Sequence, residues 1–256
     1  MRSLLPKEIQ NKRRGYGRTL SARPPAEPPF LLEKLEEMLK ETEKNGCTGG
    51  KNSMTQYKFT IRKETPKDYA EVENLVREAF WDVYAPGCDE HLIVHKLRGK
   101  DACLGDLSCV AVDENGRIVG QILYTKARIE HPDGKQWETA AFGPLGVLPE
   151  WQGRGVGGAL VRHTLELAGK AGWNGVFITG NPKYYHRFGF KSAQEFGVQI
   201  EDVTEPEVQM AMELQPNGLK DISGVLHFAP EFQADPKELE EFEKNFPHKE
   251  KRKTEK

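Results

Sequence analysis

The sequence predicts an α+β domain in which a mostly antiparallel sheet contains one parallel β-α-β crossover and is flanked by helices. Three observations predict it. Strand-like runs joined by tight turns come first, a long amphipathic helix then separates two strands, and further strand-like stretches follow. A meander gives antiparallel neighbours, whereas a helix between two strands gives a parallel pair, so the sheet is expected to be mixed.

The composition indicates a globular protein without a large net charge. Its 256 residues suit one domain with appendages or two small domains. The 37 Lys and Arg residues nearly balance the 39 Asp and Glu residues, so we expect neither a nucleic acid nor a membrane as a partner. The chain has no run of 18 apolar residues and no apolar signal region, and a cytoplasmic protein is expected.

Several chemistries are disfavoured by what the sequence lacks. The four cysteines include no C-x-x-C pair, which argues against a disulfide framework and a zinc knuckle. No cluster of His, Cys, Asp and Glu has metal-ligand spacing, and the G-x-S-x-G motif of serine hydrolases is absent. We therefore expect no metal site, and thiols that are inert in a reducing cytosol.

Residues 1–53 are predicted to be an extension. Residues 1–29 carry seven basic side chains against two acidic ones and end in a Pro-rich run, which is typical of disorder. An organelle transit peptide is also Arg-rich, but the prolines disfavour it. Residues 30–39 have helical spacing and form either a partner-docking helix or a weakly held one. Residues 45–53 form a Gly-rich linker.

A chain that starts at Met54 is expected to remain folded, because the extension lacks a core pattern. Its melting temperature should lie within a few degrees of the full chain's. A larger fall would show that the helix at residues 30–39 packs on the domain.

The domain is predicted to span residues 54–229, followed by a charged tail at residues 230–256. The tail is acidic and then basic, a pattern typical of a solvated segment. A short helix is predicted around residues 235–246.

The first half of the domain is predicted to contain two helices and a meander. Residues 57–62 alternate like a strand, and Thr65 and Pro66 then supply the N-cap and first residue of a helix. A second helix is predicted at residues 89–98. The Asn-Gly at residues 115–116 joins two strands as a hairpin. The predicted strands of the meander are residues 108–112, 118–124 and 139–147.

The second half is predicted to contain the crossover. A helix at residues 155–172 has one apolar half, and its other half presents Arg162, Glu166 and Lys170 to solvent at i, i+4 spacing. A continuous apolar run at residues 174–180 predicts a buried central strand. Short strands are predicted near residues 188–192 and 210–214.

Eleven of the 25 glycines fall within residues 143–189, and they are densest in the run QGRGVGG at residues 152–158. This run lies between a strand and a helix N-terminus, where unpaired N–H groups bind anions. A Walker A loop needs Lys-Ser or Lys-Thr after its glycines, and the dinucleotide fingerprint needs a different spacing. Residues 152–157 match every fixed position of a third pattern, Q/R-x-x-G-x-G/A.

That pattern is the pyrophosphate loop of the GCN5-related N-acetyltransferase (GNAT) family, which the chain resembles over roughly residues 57–214. The run FGPLGVLPEWQGRGVG at residues 142–157 resembles the family's central strand, turn and coenzyme loop. The run NPKYYHRFGF at residues 181–190 resembles its Y-x-x-x-G-F segment. Residues 79–91 look most like the YhbS-type branch of predicted acetyltransferases.

The resemblance implies a GNAT acyl-CoA N-acyltransferase fold and a site for acetyl-CoA as cosubstrate. It implies that a neutral amine attacks the thioester and that Tyr185 protonates the departing thiolate. The pyrophosphate would bind the loop, and the pantetheine arm would lie along the preceding strand, with Gly143 and Pro144 forming a bulge that opens the strand edge. The implied coenzyme-binding residues are Leu145, Gly146, Val147, Gln152, Gly153, Arg154, Gly155, Val156, Gly157, Gly158 and Asn181.

Alternatives stay open at several of these positions. Tyr184 is either a packing aromatic or the proton donor, and the motif register favours Tyr185. Asn181 could equally cap the next helix. No general base is assigned: Glu138 is a weak candidate, and a water chain is another. Residues 90–95, which include two histidines, are typical of a surface helix, although this helix borders the acceptor cleft in the family.

The sequence is compatible with two functions. The first is N-acetyl transfer to an amine acceptor, either a small molecule or a protein lysine. The second is a non-catalytic module that senses acyl-CoA. A homo-oligomer is compatible with both.

Overall fold

The computed structural model describes residues 57–253. The predictions made for residues 1–53, including the helix at 30–39, lie outside these residues.

The described chain forms one mixed sheet with helices on both faces. The sheet order is β1-β2-β3-β4-β5-β8-β6, and β9 pairs with both β3 and β7. Along the main order every neighbouring pair is antiparallel except β4 and β5, which α3 connects. This confirms the predicted fold class. The strands are β1 (Phe59–Lys63), β2 (Cys109–Asp113), β3 (Ile118–Glu130), β4 (Gln136–Val147), β5 (Gly175–Thr179), β6 (Lys191–Ser192), β7 (Val198–Ile200), β8 (Gln209–Glu213) and β9 (Gly224–His227). The helices are α1 (Tyr69–Phe80), α2 (Glu90–Leu97), α3 (Val156–Lys170), α4 (Pro182–Tyr185) and α5 (Pro236–Glu243).

Helices α1 and α3 cover opposite faces of the sheet. A side chain added at Gly146 of β4 would contact Leu75 and Val76 of α1, whereas the neighbouring Val147 faces α3 near Gly157. The apolar half of α3 is buried as predicted. The hydroxyl of Thr164 donates to the buried Tyr124 hydroxyl, at 3.0 Å, and so joins the helix to β3. Alternate residues of β4 are buried against different helices on the two faces of the sheet. Because a shift by one residue would exchange the two sets, this burial fixes the register of β4.

The central hairpin is longer than the sequence predicts. Strand β3 continues beyond residue 124 to Glu130, and β4 begins at Gln136 instead of residue 139. The two strands pair as far as Glu130 and Gln136. Strands β7 and β9 form a second, unpredicted parallel pair, and β9 extends the sheet beside Arg128–Glu130 of β3. Strands of three and four residues carry too little alternation to be recognised from sequence.

The charged C-terminal segment is not simply solvated. The predicted helix is present as α5, and the side chain of Asp235 caps it by accepting hydrogen bonds from the N–H groups of Lys237 and Glu238. The buried Arg77 of α1 donates to both carboxylate oxygens of Glu243. Trp81 Nε1 donates to the backbone oxygen of Glu250, at 3.0 Å. Phe242 and Phe246 pack on His91. This aromatic contact was not predicted from sequence, because only the charges of the segment were considered there.

His91 makes the stability of this packing sensitive to acid. Burial lowers the pKa of His91 to about 4, although its Nε2 lies 2.8 Å from Glu243. In the unfolded chain the pKa is near 6.5, so the unfolded state binds the proton first as the pH falls. The stabilisation is therefore complete above pH 6.5 and is lost toward pH 4. Between pH 7 and pH 5 the loss should be about 2 kcal/mol.

Urea unfolding at pH 7 and pH 5 measures this contribution. His91→Gln should have a lower free energy of unfolding than wild type at pH 7. Between pH 7 and pH 5, however, its free energy of unfolding should decrease less than that of wild type. His248→Gln, which alters an exposed histidine, should retain the wild-type pH dependence. An unchanged pH dependence in His91→Gln would exclude His91 as the group responsible.

Candidate active site

Strands β4 and β5 separate at the level of Phe142. Their parallel pairing is confined to Ala140 with Val176 and Ala141 with Phe177. Beyond this point, among residues 57–253, β5 pairs only with β8, and the rest of β4 pairs only with β3. The last part of β4, Gly143 to Val147, therefore presents one edge to an open cleft. An extended chain with amide groups can pair with such an edge.

A bulge in β4 accompanies the separation. Phe142 pairs with Tyr124 and Leu145 with Ile122, so two residues of β4, Gly143 and Pro144, lie opposite one residue of β3. The buried side chain of Gln121 donates to the Pro144 carbonyl at 3.0 Å and holds the bulge against β3. The predicted bulge at these two residues is confirmed. It bends β4 away from β5 and widens the cleft.

The glycine loop between β4 and α3 presents a row of unpaired N–H groups. Within residues 57–253, no acceptor receives a hydrogen bond from the backbone N–H of any residue from Gly153 to Gly158, and the first bond comes from Ala159 to Gly155. Gly153 and Gly155 have φ angles of +71° and +85°, which favour glycine. A side-chain carbon on either would meet no atom of the described chain within 4 Å, apart from its own chain neighbours. Such a row of N–H groups in open space at a helix N-terminus is suited to an anion.

The two long side chains of the loop have different roles. Gln152 Nε2 donates to the Val147 carbonyl at 3.1 Å and ties the loop to the end of β4. The guanidinium of Arg154 stacks over the ring of Tyr57, 3.5 Å from its centroid, and forms no ion pair within residues 57–253. Arg154 is thus a cation available to an anion at the loop. Tyr57, which supports it, was not identified from sequence as part of the site.

The two tyrosines of α4 point to different parts of the cleft. The ring of Tyr185 lies 5.9 Å from Phe142, where β4 and β5 separate. The hydroxyl of Tyr184 lies at the first turn of α3, because a side-chain carbon on Gly157 would be 2.7 Å from it. Burial raises the pKa of both phenols above the usual range. Tyr185 therefore lies at the inner end of the cleft and Tyr184 beside the anion-binding loop.

Asn181 caps α4. Its side-chain oxygen accepts a hydrogen bond from the Lys183 N–H at 3.0 Å. The capping interpretation is thus confirmed, and a contact between Asn181 and a coenzyme stays a prediction.

No general base emerges among the candidates considered from sequence. Glu138 pairs with Lys126 near the start of β4, about 15 Å along the strand from Gly143. His95 is held 3.0 Å from Glu73, and His91 lies beneath α5.

In the described part of the chain, no group of three or more His, Cys, Asp or Glu residues could hold a metal ion. No helix within residues 57–253 is long and apolar enough to cross a membrane.

Three residues near the site were missed or misplaced by sequence reasoning. Arg162, predicted on the solvent half of α3, instead lies over the ring of Phe188, and its Nε is buried. Arg187, which follows α4, lies over the ring of Tyr184. Tyr84 is 78% exposed in the loop between α1 and α2, and its phenol contributes to the raised pKa of Tyr185. For Arg162 the sequence signal was a basic residue four positions after Gly158, and its i, i+4 spacing to Glu166 made it resemble a solvated residue.

Comparisons with known proteins agree on one family. A family model described as an acetyltransferase (GNAT) domain matches residues 60–193. The uncharacterized N-acetyltransferase YjhQ from Escherichia coli (strain K12) is 33% identical over 139 residues, which are 54% of this chain and 72% of that relative.

Two solved structures with similar folds contain a coenzyme. One is a GNAT family acetyltransferase from Brucella melitensis in complex with acetyl-CoA, with 30% identity and a TM-score of 0.57; the match covers 69% of this chain and 99% of that one. The other is the GNAT family N-acetyltransferase YhbS from Escherichia coli in complex with CoA, with 23% identity and a TM-score of 0.62; the match covers 71% of this chain and 95% of that one.

Proposed function

The chain belongs to the GNAT family of acetyltransferases, and we propose that it moves an acetyl group from acetyl-CoA to a primary amine in a ternary complex. The observation that supports this most strongly is the unpaired row of N–H groups from Gly153 to Gly158, next to the free edge of β4. The row suits a pyrophosphate, and the edge suits the amide groups of a pantetheine arm. Both groups occur in coenzyme A.

The proposed positions follow from this geometry. Pyrophosphate oxygens accept from the loop N–H groups, and Arg154 supplies a charge-assisted contact. Leu145, Gly146 and Val147 bind the pantetheine amides by main-chain hydrogen bonds. The thioester then lies near Phe142 and Tyr185, where the strands separate. The amine approaches from the side of the exposed Tyr84.

Transfer requires one new bond and one broken bond. The amine nitrogen attacks the acetyl carbon, the carbon–sulfur bond breaks, and the sulfur takes the Tyr185 hydroxyl proton. The acetylated nitrogen loses its proton to water, and the tyrosinate regains a proton from solvent. Because burial raises the pKa of Tyr185, the phenol is protonated and able to act as an acid at neutral pH.

The raised pKa predicts how the contribution of Tyr185 depends on pH. The ordinary pKa of a phenol is near 10, and a higher value keeps Tyr185 protonated throughout pH 7 to 9. The ratio of wild-type kcat to Tyr185→Phe kcat should therefore stay constant over this range. A ratio that declines as the pH rises from 7 to 9 would show that Tyr185 loses its proton within it.

The experiment that tests the function is a screen of primary amines with acetyl-CoA, with free thiol detected as the product. The panel includes small polyamines, amino acids, aminoglycosides and lysine peptides. The proposal expects thiol release that depends on one class of amine, together with an acetylated amine of the corresponding mass. Tight binding of acetyl-CoA without release for any amine would instead favour the sensor function.

A further inference from the structure

Two arginines converge beside the anion-binding loop. The Cζ atom of Arg162, on α3, lies 5.1 Å from the centroid of the Phe188 ring, and that of Arg187 lies 5.3 Å from the same centroid. Burial and the charge of Arg187 lower the pKa of Arg162. The two cations therefore repel each other across one aromatic ring.

Neither cation has a carboxylate partner within residues 57–253. Within residues 57–253, Arg187 makes a single hydrogen bond, from Nε to the Tyr184 carbonyl, and Nε of Arg162 is buried without an acceptor. Arg162 is half-buried and Arg187 is exposed, so the two side chains can reach both the loop and solvent. The buried Arg77, by contrast, bonds to Glu243, and the buried head of Arg98 bonds to Glu64 and Glu73. Because the half-buried Arg162 faces a second cation and no carboxylate among residues 57–253, an anionic ligand would balance a charge that these residues leave unbalanced.

The pair lies within reach of a ligand on the loop. A side-chain carbon on Gly158 would lie 3.3 Å from Nη1 of Arg162. Gly158 supplies one of the unpaired N–H groups of the loop. Arg162 is four residues further along α3, and its side chain extends back toward the helix N-terminus, as helical side chains do. The guanidinium thus lies about one helical turn from the proposed pyrophosphate position.

We propose that Arg162 and Arg187 bind the 3′-phosphate of coenzyme A while the loop binds its pyrophosphate. This rests on the proposed function. A phosphate monoester carries a charge between about −1.5 and −2 at pH 7, which two guanidinium groups can balance. In the coenzyme only a ribose separates this group from the pyrophosphate, so a nucleotide held at the loop presents a second phosphate nearby. Fork-shaped guanidinium groups match phosphate oxygens better than an ammonium does.

The test is calorimetric titration of the full chain with coenzyme A and with 3′-dephospho-coenzyme A. Wild type should bind coenzyme A about tenfold or more tightly, since charge-assisted hydrogen bonds are lost with the phosphate. Arg162→Gln and Arg187→Gln should each bring the two affinities close together. Lys100→Gln, which removes an exposed cation at the end of α2, should keep the wild-type ratio.

Each outcome decides the assignment. Equal wild-type affinities for the two coenzymes would overturn it. If both arginine variants then weakened both ligands equally, the pair would bind the pyrophosphate instead. Retention of the wild-type ratio in both variants would also overturn the assignment. Failure of wild type to bind either coenzyme would overturn the proposed function together with this inference, so the two failures are distinguishable.

Stability separates a binding role from a structural one. Arg162→Gln removes a cation that faces another cation and has no acceptor for Nε, so the melting temperature without coenzyme should stay the same or rise. A structural arginine behaves differently when replaced, because its partners lose their hydrogen bonds. A clear fall in the melting temperature of the coenzyme-free Arg162→Gln variant would contradict the proposal.

Discussion

Gly155→Glu is expected to weaken acetyl-CoA binding by about 100-fold or more while the protein stays folded. The new carboxylate would enter the space in front of the loop N–H groups, where, apart from the two chain neighbours, no atom of residues 57–253 lies within 4 Å of the added carbon. It would repel the pyrophosphate and compete for its hydrogen bonds. Loss of two charge-assisted hydrogen bonds is enough for this factor. Titration calorimetry with acetyl-CoA measures it.

Gly172→Glu is the matched control. Gly172 lies just past the other end of α3, has the same φ of +85°, and also has open space around it. Each glutamate meets the same backbone strain, about 1–2 kcal/mol for a side chain in the left-handed region. The two variants should lose similar stability, yet only Gly155→Glu should lose affinity. Unchanged acetyl-CoA affinity in folded Gly155→Glu would place the coenzyme elsewhere.

Tyr185→Phe is expected to lower kcat by about 10-fold to 10⁴-fold, the range for loss of one general acid. The change keeps the ring that packs on Phe142 and Phe190 and removes the only ionisable atom. The affinity for acetyl-CoA should therefore survive. The loss should lie in kcat, because the proton is transferred only as the thiolate leaves. Steady-state kinetics with the best amine of the screen, together with a coenzyme titration, test both statements.

Tyr184→Phe is the control for the register of the two tyrosines. Its hydroxyl lies beside Gly157 at the start of α3, away from the point where the strands separate. Turnover should change much less than in Tyr185→Phe. A larger defect in Tyr184→Phe, or wild-type kcat in Tyr185→Phe, would assign the proton to another donor.

The sheet and the anion-binding loop were predictable because local sequence determines them. Alternation of apolar and polar residues specifies the strands of the meander, and the Asn-Gly at residues 115–116 specifies its hairpin. Gly153 and Gly155 have positive φ angles, a backbone conformation that favours glycine. The bulge in β4 was also predictable, because Gly143 and Pro144 are adjacent residues of types that interrupt regular strand pairing. These features depend on backbone conformation within a few residues.

Features that depend on distant partners were not predictable. Arg77 and Glu243 pair across 166 residues, so the charge run at the C-terminus did not reveal the packing of α5. Arg162 has the spacing of a solvated residue, yet Phe188 lies beneath it because α4 and the segment after it pack against α3. The effect of the Tyr84 phenol on the pKa of Tyr185 likewise depends on two segments far apart in sequence. Periodicity describes one element at a time, whereas these interactions depend on how elements pack against one another.

The most direct test of the account is a crystal structure of the protein with acetyl-CoA. We expect the pyrophosphate within hydrogen-bond distance of the N–H groups from Gly153 to Gly158, and the pantetheine arm along the free edge of Gly143 to Val147. The thioester sulfur should lie closer to the Tyr185 hydroxyl than to the Tyr184 hydroxyl. A pyrophosphate bound away from the loop, or a sulfur nearer to Tyr184, would contradict the account.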